Sequence, residues 1–196
     1  MQEFKSKRNK VFLENGKIVK EFNEKNCLDN EIKYLKLLRQ NSVLVPQILA
    51  IDENKLELEY IEGTIFLDLF LDYEKNNLNC VFLIEILIDW LQKFYAITKQ
   101  EFGEIHILKD VNLRNFLIVK DKLYGIDFEL CGKGEIEKDI GTLLAFAIMY
   151  EPVMTDWKMN FMSTFLEKSI ATLLLDKRKI EIYFENELEN MKKRRK

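Results

Sequence analysis

The sequence predicts a two-lobed α+β fold, in which a small antiparallel sheet interrupted by one helix precedes a mainly helical lobe. Three features carry that prediction. Asn15-Gly16 lies between two short apolar runs, residues 10–13 and 17–22, and Asn-Gly so placed is the strongest local hairpin signal. Residues 55–61 alternate, with Leu56, Leu58 and Tyr60 set against Glu57 and Glu59, at the period of two that a half-buried strand requires. From Thr64 onward, the apolar residues come in long runs at helical spacing.

The elements follow in order. Asp29 or Asn30 is expected to cap a helix that runs to about Gln40, with Ile32, Leu35, Leu37 and Leu38 toward the core. Val45-Pro46 ends it, because proline disfavours helical backbone in the residue before it. Residues 48–52 and 55–61 read as two further strands, and Glu62-Gly63 marks the boundary between lobes 1–62 and 63–196. Residues 64–73 form a short helix, and 78–99 a long one, apolar almost all round and therefore buried. Two short strands, 116–119 and 123–126, flank the polar turn Lys120-Asp121-Lys122. Helices over 139–150, 155–175 and 179–196 complete the chain, which contains no internal repeat.

A chain of 196 residues is one domain or one small two-lobed unit, at roughly 150 residues per domain. It can bury about 70% of its unfolded surface and needs no disulfide or metal to fold. Seven glycines and two prolines exclude collagen-like and proline-rich architectures and leave little material for a glycine-rich phosphate loop. Cys27, Cys80 and Cys131 are far apart and odd in number, no Cys-x-x-Cys occurs, and His106 is the single histidine, which argues against structural zinc. Free thiols suit a reducing compartment, and the polar N-terminus has no apolar signal core. The most apolar stretch, residues 81–91, holds Glu85 and Asp89 and is too short to span a bilayer. A cytoplasmic protein is the expectation. The net charge of −3 does not mark a nucleic-acid binder, but it is uneven. Residues 192–196 alone carry +5, leaving −8 on the rest, and Lys5, Lys7, Arg8 and Lys10 form a second basic cluster. The tail reads as a solvated helix end whose cations complement the helix dipole, and a contact with nucleic acid or a phosphorylated partner stays open there.

The residues suited to chemistry lie between the long helix and the two short strands. The chain there reads Leu108-Lys109-Asp110-Val111-Asn112-Leu113-Arg114-Asn115-Phe116-Leu117-Ile118, and Asp127 follows twelve residues after Asn115 in Gly125-Ile126-Asp127-Phe128-Glu129. Taken singly, Asp110 and Asn115 would only shape an Asx-type loop and Asp127 cap a turn. Taken as an ordered set, Asp-x-x-x-x-Asn, strand, turn, strand and Asp-Phe, they resemble the catalytic and metal-binding loops of the protein-kinase-like superfamily. The ending Ile-Asp-Phe-Glu is closer to the aminoglycoside phosphotransferase and choline kinase branch than to Asp-Phe-Gly kinases. The compact size is similar to that of RIO-like and lipopolysaccharide-core kinases. The resemblance covers roughly residues 10–150.

That resemblance implies a protein-kinase-like fold and an ATP- and Mg-dependent phosphotransferase acting on a hydroxyl of a sugar, a lipid-linked sugar or a protein serine. Phosphoryl transfer needs a carboxylate to orient the hydroxyl and take its proton, and hard oxygen donors for magnesium. By resemblance Asp110 is the base, and Asn115 and Asp127 are the metal ligands. Lys20, in Ile18-Val19-Lys20-Glu21-Phe22, stands in the third-strand position and Glu31 opens the following helix, the order of the pair that steers a lysine onto the α- and β-phosphates. Locally the two are equally a solvated lysine and a glutamate at a helix start, and Lys17, Glu21 or Glu24 would fit a shifted register. Glu59 and Ile61 fall where the backbone of the hinge contacts adenine. Asp139 resembles an aspartate that props the catalytic loop.

The departures point the other way. No G-x-G-x-x-G occurs, and the equivalent turn is residues 5–9, whose cations and amides would serve phosphate instead. Leu108 stands where many relatives have histidine, and His106 is displaced and reads as an ordinary packed or surface residue. Eleven residues between Asp127 and Asp139 leave no room for a phosphorylated activation segment. The alternative is therefore a noncatalytic kinase-like module that binds nucleotide or a partner.

Overall fold

The computed structural model describes residues 2–4 and 8–194. Lys5 and Lys7 of the opening basic cluster, and Arg195 and Lys196 of the tail, lie outside the described residues. The first unit is a five-stranded antiparallel sheet of β1 (Gln2–Phe4), β2 (Lys10–Glu14), β3 (Lys17–Glu21), β4 (Ile48–Asp52) and β5 (Lys55–Glu59), in the order β1-β2-β3-β5-β4. Asn15 and Gly16 have φ of +50° and +75°, the left-handed pair that a two-residue hairpin turn demands. The turn sets the register, with Glu14 opposite Lys17 and Val11 opposite Lys20.

The helix after β3, α1, spans Lys25–Gln40 and begins earlier than the cap residues predict. Its N-cap is Glu24, in extended conformation and with no side-chain cap bond. Asn30 is not free to cap, because its side-chain amide donates to the carbonyl oxygens of Phe128 (3.4 Å), Glu129 (2.9 Å) and Cys131 (2.8 Å). A distant loop has thus overridden a local preference. The helix buries Leu28, Tyr34, Leu35, Leu37 and Leu38 against the sheet and the second lobe.

After the connector 60–63, two residues, β6 (Thr64–Ile65), pair with the later strand β8 (Phe116–Val119) before α2 (Phe66–Lys75) begins. The helix α3 (Val81–Phe102) is the axis of this lobe and stops at Gly103. A short pair, β7 (His106–Ile107) with β10 (Gly132–Lys133), brackets the motif region. Between them lie a 3-10 turn at Leu113–Asn115 and the hairpin of β8 with β9 (Lys122–Gly125). The helices α4 (Ile136–Met149), α5 (Asp156–Leu173) and α6 (Lys177–Arg194) close the lobe. Among the described residues, no helix is long and apolar enough to cross a membrane, and all three cysteines are free thiols.

Trp90 organises the core behind the motif loops. Its ring stacks on Phe94 at 5.7 Å and on Phe128 at 6.2 Å, and meets Phe116 edge-on at 5.3 Å. Gly125 lies flat against the indole, so close that a Cβ there would stand 2.2 Å from a ring carbon. The carbonyl of Leu44, between α1 and β4, accepts bonds from both Trp90 Nε1 (3.2 Å) and the Gly125 N–H (3.1 Å).

Candidate functional site

The site lies where the sheet and α1 face the loops around β8 and β9. Strand alternation turns Lys20 inward, while Lys17 stays half-exposed and pairs with Glu57 at 2.8 Å. Lys20 Nζ bonds Glu31 Oε1 at 2.9 Å and Asp127 Oδ1 at 3.1 Å. One ammonium therefore joins the sheet, α1 and the loop after β9. Burial alone would lower the Lys20 pKa, but the facing carboxylates of Glu31 and Asp127 override it and hold the ammonium above its ordinary value. Glu31 is buried, and its other oxygen accepts the Phe128 N–H at 2.5 Å. That bond fixes the loop directly beside Asp127.

Asp127 has φ +72°, in the left-handed region that Asp tolerates better than most residues. Its side chain is 37% exposed, so one oxygen faces Lys20 while the carboxylate still reaches solvent. The preceding Ile126 N–H donates to the Asn115 carbonyl at 2.9 Å, tying the two loops together. Asp110, Asn115 and Asp127 line one small cavity, floored by Phe116, Gly125 and Phe128. Asn115 Nδ2 donates to the Asp110 carbonyl at 2.9 Å, which turns its amide oxygen away as a hard donor. No group of three His, Cys, Asp or Glu suited to a metal occurs among the described residues. The donor set of Asn115 and Asp127 fits an ion such as Mg²⁺, which keeps waters and phosphate oxygens in its shell.

The loop carrying Asp110 is held from behind. Asp139, fully buried at the start of α4, accepts the Leu108 N–H (2.7 Å), the Lys109 N–H (3.0 Å) and the Tyr95 hydroxyl (3.1 Å). Burial pushes its carboxyl up to about 6, against the pull of those donors. Lys109 then takes φ +63° and delivers Asp110. On the far side, Asn112 Oδ1 accepts the Arg114 N–H at 3.0 Å and the Tyr150 hydroxyl at 2.6 Å. His106 is packed, stacked on Phe102 at 4.3 Å and bonded to the Tyr34 hydroxyl at 2.6 Å.

Glu59 and Ile61 do not line that cavity. Glu59 ends β5, its N–H donates to the Gln47 carbonyl at 2.8 Å, and its carboxylate accepts the Gln47 N–H at 3.1 Å. Ile61 lies half-buried in the connector 60–63. Sequence reasoning missed Asn30, Tyr95, Tyr150 and Glu129, whose partners stand 38 to 120 positions away and leave no local signal.

The Asp139 geometry carries a test. Between about pH 4 and pH 6 the folded protein binds a proton at Asp139 more tightly than the unfolded chain does, so its contribution to stability falls as pH rises. Asp139→Asn should remove that slope. It should also destabilise by about 1–3 kcal/mol, since its amide group would face a backbone N–H. Thermal melts of both proteins from pH 4 to 7 measure both effects.

No family model matches the chain, and no curated protein matches it in sequence. Its fold does have counterparts among solved structures. It is similar to WaaP in complex with acyl carrier protein, with a TM-score of 0.64 and 14% identity, covering 96% of this chain and 88% of that one. It is similar to the gentamicin complex of APH(2")-IIa, with a TM-score of 0.64 and 13% identity, covering 88% of this chain and 78% of that one. Both have protein-kinase-like folds, and the fold of this chain is protein-kinase-like.

Proposed function

We propose that the chain is an ATP- and Mg-dependent phosphotransferase with a hydroxyl acceptor, built of a nucleotide-binding lobe 1–62 and a catalytic lobe 63–196. The observation that carries this reading is the position of Asp127. It meets Lys20, itself paired with buried Glu31, and lines one cavity with Asp110 and Asn115. A structural ion pair needs no second carboxylate and no amide oxygen beside it; phosphoryl transfer needs both.

In this reading, Lys20 steers the α- and β-phosphates and Glu31 keeps the ammonium aimed. The connector at Glu59 and Ile61 offers backbone groups to adenine; the Glu59 N–H already bonds Gln47, so the contacts fall to its neighbours. Asn115 and Asp127 would hold magnesium, which neutralises phosphate charge when bound. Asp110 accepts the proton of the acceptor hydroxyl. The hydroxyl oxygen then bonds to the γ-phosphorus as the bond to the β–γ bridging oxygen breaks, and ADP leaves with that electron pair. A sugar, a lipid-linked sugar and a protein serine all offer such a hydroxyl. WaaP, in complex with acyl carrier protein, and APH(2")-IIa, in complex with gentamicin, support the fold.

The test is nucleotide binding followed by turnover. At 100 times Kd, Mg·ATP should stabilise the fold by about 2.7 kcal/mol. At roughly 2–4 °C per kcal/mol, that raises the melting temperature by several degrees. No shift with millimolar ATP or GTP and magnesium would sink the reading. A shift without ATP hydrolysis or transfer would favour the noncatalytic module, to which Leu108 and the missing glycine-rich turn point.

A further inference from the structure

The residues at the head of β2 are not held by glycines but by a carboxylate from the other lobe. Glu129, two residues beyond Asp127, is 8% exposed. Its Oε2 accepts a bond from Asn9 Nδ2, and its Oε1 stands 3.6 Å from Arg8 Nη1. Asn23, just after β3, fixes the same two residues from the sheet side. Its N–H donates to Asn9 Oδ1 at 3.4 Å, and its side-chain amide donates to the Arg8 carbonyl. The Glu129 carbonyl is in turn held by Asn30 of α1 at 2.9 Å. Arg8 is 54% exposed at its side chain, so its guanidinium is aimed by Glu129 yet open to solvent.

We propose that Glu129 is a positioning residue that holds Arg8 and Asn9 over the phosphate end of the site, with Arg8 as a second phosphate-binding cation beside Lys20. This rests on the phosphotransferase reading and deepens it. A glycine-rich turn cradles phosphate with backbone amides because its backbone can approach closely. This chain reaches the same end with side chains, a planar guanidinium whose fork suits phosphate oxygens and an amide that fixes its base. Arg8 can bond phosphate through nitrogens that Glu129 does not face, so the carboxylate orients the cation without consuming it.

The test separates phosphate binding from the rest of the nucleotide. Affinities for ATP and for adenosine are measured by calorimetry on the parent, Glu129→Gln, Glu129→Ala, Arg8→Gln and the double variant Arg8→Gln/Glu129→Ala. Lys17→Met, in an exposed pair of the same sheet, is the control. Glu129→Ala and Arg8→Gln should each weaken ATP about tenfold, as loss of a charge-assisted contact does, and leave adenosine unchanged. The double variant should be no worse than either single one. Glu129→Gln keeps an acceptor for Asn9 and should fall between parent and Glu129→Ala, which guards against a folding defect. In turnover, KM for ATP should rise while kcat holds. The loss should persist with EDTA, because Glu129 acts on Arg8 and not on the metal. Equal loss for adenosine, full additivity, tighter ATP binding on removing Glu129, or a loss that vanishes with EDTA would each overturn the proposal. If the parent itself binds no ATP, the phosphotransferase reading fails and this inference falls with it. If the parent binds and Glu129→Ala matches it, this inference alone fails.

Discussion

Asp110→Asn and Asp127→Asn should fail in different ways. Asp110→Asn is expected to bind Mg·ATP like the parent and to lose about 10²–10⁴-fold in turnover, the range for removing a general base. Its backbone position is set by Asp139 through the Leu108 and Lys109 amides and by Asn115 through the Asp110 carbonyl, so the exchange leaves the loop in place. Asp127→Asn should lose binding itself, because it removes the one charged member of the proposed magnesium pair and a carboxylate partner of Lys20. Its melting shift with Mg·ATP should shrink toward the shift with ATP alone. Calorimetry with and without magnesium, beside single-turnover transfer or ATPase rates, separates the two. Parent-like binding and turnover in both variants would show that these aspartates have no part in the chemistry.

The second large effect lies at Lys20 and Glu31. Lys20→Met leaves the Glu31 carboxylate, 1% exposed at its side chain, without its cation. Breaking a buried pair from one side costs about 3–5 kcal/mol, or some 6–20 °C at this chain length. Glu31 would then take up a proton in the folded state more readily than in the unfolded one, so the variant should lose stability as pH rises. Glu31→Gln removes the charge and leaves Lys20 with Asp127 alone. Each single variant should also reduce phosphoryl transfer. The double variant should lose less than the sum in both stability and transfer, because the two side chains act as a unit. Lys17→Met, in the exposed pair with Glu57, should change neither by much. Full additivity, or a Lys17 effect equal to that of Lys20, would place the phosphate contact on another cation, with Arg8 first in line.

The sequence made the sheet, the helices and the order of the motif loops legible because those depend on local signals. Asn15-Gly16 enforces its turn by backbone sterics alone, and the alternation around Leu56 and Leu58 fixes a face. The spacing of Asp110, Asn115 and Asp127 survives as a linear pattern because a short hairpin joins them. What stayed hidden is decided by partners distant in the chain. Asn30 looks like a helix cap until its amide is seen against three carbonyls of the Phe128 loop. The strands β1, β6, β7 and β10 are two or three residues each, too short to carry a periodicity; β1 and β6 lie at the edges of longer neighbours, and β7 and β10 pair with each other. Glu129 reads as a charged neighbour of the motif, and nothing near it in the chain points to Arg8 and Asn9.

The anchorage of α1 has a kinetic side. Through Asn30, Glu31 and Tyr34 the helix is bonded to the Phe128 loop and to His106, and through Leu44 the chain that leaves it is bonded to Trp90 and Gly125. A helix fixed at so many points cannot swing in and out as a unit without breaking buried bonds. The Lys20–Glu31 pair is therefore assembled when the chain folds, ahead of the nucleotide proposed to bind there. A protein whose competent state is always populated shows no conformational tax on affinity, and its association rate is set by diffusion and access to the cleft. Control of the proposed phosphotransferase would then fall to its abundance, or to the supply of its acceptor, rather than to an internal on–off transition.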